Sequence, residues 1–166
     1  MIIVSDTSPL LYLLLIDQID LLPQLYGDII IPDVVFSEMT AANAPAKLRQ
    51  WAANLPSWLT IQTVTIETDN QIKRLNAGEQ AAIALAQKLN AKLLLMDEKA
   101  GRQVAMQRGL QVVGVLGILD DAAAQKLIDF AGAIAKLQQT NFRVSSKLIQ
   151  TLLSRQFRLQ SDLFAH

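Results

Sequence analysis

Short apolar runs alternate along the chain with longer stretches in which apolar residues recur every three or four positions. Residues 2–4, 29–31, 59–64, 92–96 and 111–115 are runs short enough for strands, the first of them apolar and β-branched. Helical patterns fill the intervals, at residues 10–16, 20–26, 32–38, 46–53, 68–75, 79–89, 99–108, 119–135 and 145–155. Local punctuation agrees: Ser8 and Ser145 stand where helix caps belong, Pro9 and Pro32 suit first helical turns, and Gly27 and Gly109 suit helix ends. On the stretch after Gly78, Ala82, Leu85, Ala86 and Leu89 form one apolar face.

Strands alternating with helices predict an α/β domain with a mostly parallel sheet between helical layers. Leu93-Leu94-Leu95 has no polar interruption, as expected of a strand buried on both faces. No repeat, linker or low-complexity tract divides the sequence, so one domain over residues 1–166 is expected, with helices alone from about residue 119 onward. In an open parallel sheet, ligands bind beyond the carboxyl ends of the strands.

Composition narrows the chemistry. The longest apolar run, residues 9–16, is well short of the roughly 20 residues needed to cross a bilayer, and only Asp6 carries charge before it. The chain therefore reads as soluble and cytoplasmic. It has no cysteine, which removes thiol catalysis and thiolate ligands, and its one histidine is the terminal His166. Hydrolysis would have to run on carboxylates, a metal, or a serine or lysine. Fifteen basic and fifteen acidic side chains give no net charge, against the basic balance usual for proteins that grip long nucleic acids by charge alone.

Asp6 and Asp97 each follow an apolar strand, so both are expected at one edge of the sheet. Converging carboxylates repel unless a cation or proton lies between them, and an all-oxygen donor set suits Mg²⁺ or Mn²⁺. Each aspartate alone has an ordinary alternative as a turn former or cap. Glu38 lies beside Val34, Val35 and Met39 on the helix after Pro32, although Ser37 and Thr40 give that stretch a polar face too. Glu79 opens a helix, where the helix dipole alone stabilises an acid; in the functional reading Gly78 lets the chain approach closely and aims Glu79 at the same pocket.

Taken in order, these motifs resemble a known family. Asp6-Thr7-Ser8-Pro9-Leu10 resembles the opening of PIN domains, and Ile31-Pro32 followed by Val35 and Glu38 resembles their next element. Gly78 through Ala86, then Leu95-Met96-Asp97-Glu98 with Gly101-Arg102, is similar to the small prokaryotic branch related to VapC-type toxin ribonucleases. Gly114 through Leu119 and Asn141 through Ser145 have counterparts there, so the resemblance runs over roughly residues 1–153. It implies a three-layer α/β/α domain that binds Mg²⁺ or Mn²⁺ and cuts single-stranded RNA. It also implies a homodimer and a small antitoxin as partner. By position, Asp6, Glu38, Glu79 and Asp97 match the metal-binding acids, Thr7 or Ser8 a hydroxyl near the metal, and Glu98 is an alternative ligand. The sequence departs from the pattern at three places: Glu79 where many such toxins carry Asp, Val115 in place of Thr, and the pair Asp120-Asp121 in place of a more basic stretch.

Arg102, one turn into the helix after Asp97, is a candidate for meeting a substrate phosphate, as is Lys99. Arg143 and Lys147 read as ordinary surface charge. Tyr12, Trp51, Trp58 and Phe142 are candidates for base stacking, but their leucine-rich surroundings favour packing. Two other functions compete: a PIN-like module that binds RNA or protein without turnover, and a receiver-type phosphoacceptor. The second needs paired acids after its first strand, a phosphoacceptor aspartate after its third and a lysine after its fifth, but Val64 leads into Thr65-Ile66 and Val115 into Leu116.

Overall fold

The computed structural model describes residues 1–164, with side chains through Gln160; His166 lies outside the described residues. Five strands form one sheet: β1 (Ile3–Ser5), β2 (Ile29–Pro32), β3 (Leu59–Gln62), β4 (Leu93–Leu95) and β5 (Val112–Val113). Every neighbouring pair is parallel, in the order β3-β2-β1-β4-β5. This is the α/β/α class expected from the alternating pattern. The chain first winds outward from β1 through β2 to β3, then crosses back to place β4 on β1's other side. The strand order thus reverses between β1 and β4, the strands that precede Asp6 and Asp97.

Residue contacts fall into two compact units, Met1–Val115 and Leu116–His166. The first holds the sheet with helices α1 (Thr7–Leu15), α2 (Leu21–Tyr26), α3 (Asp33–Thr40), α4 (Ala46–Ala52), α5 (Ala77–Lys88) and α6 (Lys99–Gln107). Its core includes a cluster in which Val4 and Leu94 of the paired central strands meet Ala82, Ile83, Leu85 and Ala86 of α5 and Ala105 of α6. Small side chains on α5 let the helix lie close to the sheet. This closeness also brings the start of α5 to the strand ends, where Glu79 meets the charge of Asp6.

Three expected strands are shorter than their apolar runs, the residue 92–96 run forming a strand only over Leu93–Leu95. The residue 59–64 run stops pairing at Gln62, opposite Pro32, where β2 itself ends. The residue 111–115 run keeps only Val112 and Val113, opposite β4, and Val115 starts a helix instead. Residues 68–75 form a single 3₁₀ turn, Ile72–Arg74, rather than a helix. Asp69 explains this: its carboxylate accepts the backbone amides of Gln71 and Ile72, both at 2.9 Å, satisfying them in a turn.

The second unit contains the rest of α7 (Val115–Ala124), then α8 (Phe130–Gln138) and α9 (Ser146–Phe164). The single helix expected over 119–135 is therefore two. Lys126 breaks it with a left-handed φ of 62°, and Asp129 caps the second by accepting the Gly132 amide at 3.1 Å. Ser145 caps α9 as expected, through the Leu148 amide at 3.1 Å. Asp120, one of the departures noted above, is buried: it pairs with Arg155, and Gln156 donates to its carboxylate at 2.7 Å. In place of a basic contact surface, this position ties α7 to α9.

Candidate functional site

Asp6 is the centre of the acidic group. Its backbone amide donates to the Leu95 carbonyl at 2.9 Å, extending the β1–β4 pairing by one step and fixing Asp6 beside the end of β4. It occupies the cap position of α1, and Ser8, expected as that cap, lies inside the helix instead. Asp6 makes no capping hydrogen bond, and its residue is only 3 % exposed. Burial pushes its carboxyl up to about 7; the Thr7 amide opposes this, and the charges of Glu38, Glu79 and Asp97 add to it. Four acids from four separate stretches of sequence are therefore electrostatic neighbours.

Each of the other three is held by an identifiable contact. The Thr7 hydroxyl donates to Glu38 Oε2 at 2.7 Å, tying the acid of α3 to the residue after Asp6. Glu79 is held by Asn76, the cap of α5. The Glu79 amide donates to Asn76 Oδ1, and Asn76 Nδ2 donates to Glu79 Oε1, each at 2.8 Å. This is a reciprocal capping arrangement, and its Asn-x-x-Glu spacing is a sequence signature of a helix start. Burial raises the Glu79 carboxyl, with Glu98 and Glu38 adding to the shift and the Asn76 amide opposing it.

Asp97 accepts the Val115 amide on Oδ1 at 2.9 Å, so the residue that departs from the expected Thr contributes through its backbone. Burial raises the Asp97 carboxyl to about 6; the Val115 amide and Arg102 oppose the shift and Glu98 adds to it. Its second oxygen, Oδ2, is buried without a hydrogen-bond partner. Such an atom costs free energy unless something satisfies it.

The accessory residues separate. Arg102 comes close to Asp97: a Cβ built on Gly114 would lie 2.7 Å from both Arg102 Nη1 and Asp97 Oδ1. Glu98 is exposed at the cap position of α6, on the rim of the group. Ser8 is half-buried and makes no hydrogen bond to an acid among the described residues. Tyr12 lies at the edge of the group: burial raises its phenol, and the charges of Asp97 and Glu98 raise it further. Trp51 and Trp58 pack against each other with ring centroids 5.9 Å apart, in keeping with the packing reading. Arg143, Lys147 and Lys99 are exposed.

The donor set, four carboxylates with one buried oxygen unpartnered, fits a hard divalent cation in chemistry. Among the described residues, no three of these side chains are gathered tightly enough to cage an ion as they stand. Residues 2–157 match the family model described as a PIN domain, and the chain belongs to the PIN-domain family, whose fold is of nuclease type. A PilT N-terminus domain protein from the hyperthermophilic archaeon Sulfolobus solfataricus P2 is similar in structure at 14 % identity, over 87 % of this chain and 100 % of that one, with a TM-score of 0.49. No curated protein matches the sequence. Among the described residues, no helix is long and apolar enough to cross a membrane.

Proposed function

We propose that this PIN-domain protein is a metal-dependent endoribonuclease that cuts single-stranded RNA, with Asp6, Glu38, Glu79 and Asp97 holding Mg²⁺ or Mn²⁺. The observation that carries the reading is the unpartnered, buried Asp97 Oδ2 beside an Asp6 carboxyl that feels three other acids, at the point where the strand order reverses. A hard divalent ion supplies Lewis-acid activation of water and neutralises charge at the phosphodiester. The chain's own groups prepare the site for it. The Val115 amide occupies Asp97 Oδ1 and leaves Oδ2 for a ligand. Thr7 steadies Glu38, Asn76 steadies Glu79, and Arg102 beside Asp97 serves a substrate phosphate.

The resemblance to VapC-type toxins extends the proposal to a cytoplasmic homodimer, the toxin of a toxin–antitoxin pair whose small antitoxin masks the pocket. A PIN-like module that binds without turnover is the second reading, favoured by the acids not forming a tight cage. Cleavage of a labelled single-stranded RNA in Mn²⁺, abolished by EDTA, is expected from the first reading; metal-independent binding without cleavage is expected from the second.

Glu79→Gln separates ligand from helix cap. The amide oxygen can still accept from Asn76 Nδ2, so stability is expected to fall by at most about 1 kcal/mol. Calorimetric titration is expected to show clearly weaker Mn²⁺ binding, because one of few anionic ligands is neutral. Unchanged affinity would leave Glu79 with its capping role alone.

A further inference from the structure

The start of α5 carries a glycine that its backbone does not require. Gly78 is the second residue of the helix and does not adopt the left-handed φ that favours glycine. Alanine is the better helix former at such a position. What distinguishes Gly78 is its surroundings: a Cβ built there would lie 2.5 Å from both Oε1 and Oε2 of Glu38 and 2.8 Å from its Cδ. The α3 carboxylate rests where a side chain of α5 would be. The sequence suggested that Gly78 serves its neighbour Glu79; in the structure the group it admits is Glu38.

We propose that Gly78 is a positioning residue for Glu38, keeping open the space through which the carboxylate of α3 reaches the acidic group. The inference rests on the metal-site reading above. The Thr7 hydroxyl reaches Glu38 Oε2 at 2.7 Å, and the two Glu38 carboxylate oxygens occupy the space that a Cβ at residue 78 would take. A methyl group at residue 78 pushes the carboxylate away, and because the displaced atoms end a flexible side chain, the fold accommodates the change. Activity and stability then move in different directions. A helix-start glycine kept only for packing would give no such split.

The test is a double-mutant cycle of Gly78→Ala and Glu38→Asp, read by calorimetric Mn²⁺ titration and by thermal unfolding in EDTA. Gly78→Ala alone is expected to weaken Mn²⁺ binding by roughly tenfold or more, as loss of a supporting contact does at metal sites, with an unchanged or higher Tm. In the Glu38→Asp background the shorter side chain has withdrawn from residue 78, so adding Gly78→Ala is expected to cost nothing further. Equal Mn²⁺ affinity of Gly78→Ala and wild type would overturn the proposal, as would the same loss in both backgrounds. If wild type binds no Mn²⁺, the metal reading fails, and a crystal structure of Gly78→Ala decides the positioning question separately. A displaced Glu38 carboxylate supports it, and one still in place against residue 78 overturns it.

Discussion

Asp6→Asn is expected to reduce Mn²⁺-dependent cleavage of single-stranded RNA by roughly a hundredfold or more while leaving the protein folded. The substitution keeps the side chain's shape and removes the charge at the centre of the acidic group, the one carboxylate that feels Glu38, Glu79 and Asp97 together. In EDTA at pH 8 the variant is expected to be more stable than wild type, because an ionised carboxylate buried among other acids has been replaced by a neutral amide. Cleavage of a labelled oligonucleotide and urea unfolding check the two halves separately. Equal Mn²⁺-dependent cleavage by both proteins would remove Asp6 from the site. Lower stability of the variant at pH 8 would mean that the ionised form is better satisfied than its surroundings indicate.

A related effect is expected in the pH dependence of wild-type stability. Asp6 in the folded protein holds its proton up to about 7 against an ordinary value of 3.8, and Asp97 up to about 6. Between pH 4 and 7 the folded state therefore binds more protons than the unfolded state, and stability falls as pH rises through that window. The contribution is fully present below the unfolded value and lost above the folded one. Urea unfolding in EDTA is expected to show the protein more stable at pH 5 than at pH 8, by on the order of 2–4 kcal/mol. The two sites interact, so their contributions do not add. Glu79 shifts in the same direction, whereas Asp69 is lowered and titrates below this window. Excess Mn²⁺ at pH 8 is expected to restore stability, since ion binding to the folded state alone is a stabilising linkage. Equal or greater metal-free stability at pH 8 would contradict the burial of these charges.

The parts of this arrangement legible in the sequence are those that follow from short-range pattern and sheet geometry. Asp6 and Asp97 stand directly after apolar strands, and the rule for parallel sheets places both at the carboxyl edge whatever the strand order. Glu38 was less legible: its helix was plain, but its inward turn depends on Thr7, thirty-one residues away, and on the space at Gly78. Nothing local marks Val115 as a hydrogen-bond donor to Asp97, since that contact exists only once β5 has ended early and α7 has begun. The helices expected over 68–75 and 119–135 depart from the pattern for local reasons, the second because Lys126 turns left-handed with a φ of 62° before Asp129 caps a new helix. Apolar periodicity does not register a side chain that captures backbone amides, as Asp69 and Asp129 do. Ser8 shows the same limit in reverse, since a good capping residue was passed over when Asp6, fixed by its bond to Leu95, took the cap position.

The most informative measurement is a crystal structure of the full chain with Mn²⁺, in which anomalous scattering locates the ion independently of its surroundings. The expected result is a peak bounded by carboxylate oxygens of Asp6, Glu38 and Asp97, with Asp97 Oδ2 among them and Glu79 completing or flanking the set. A peak elsewhere, or an acidic group that gathers no ion at saturating Mn²⁺, would contradict the metal-dependent ribonuclease reading.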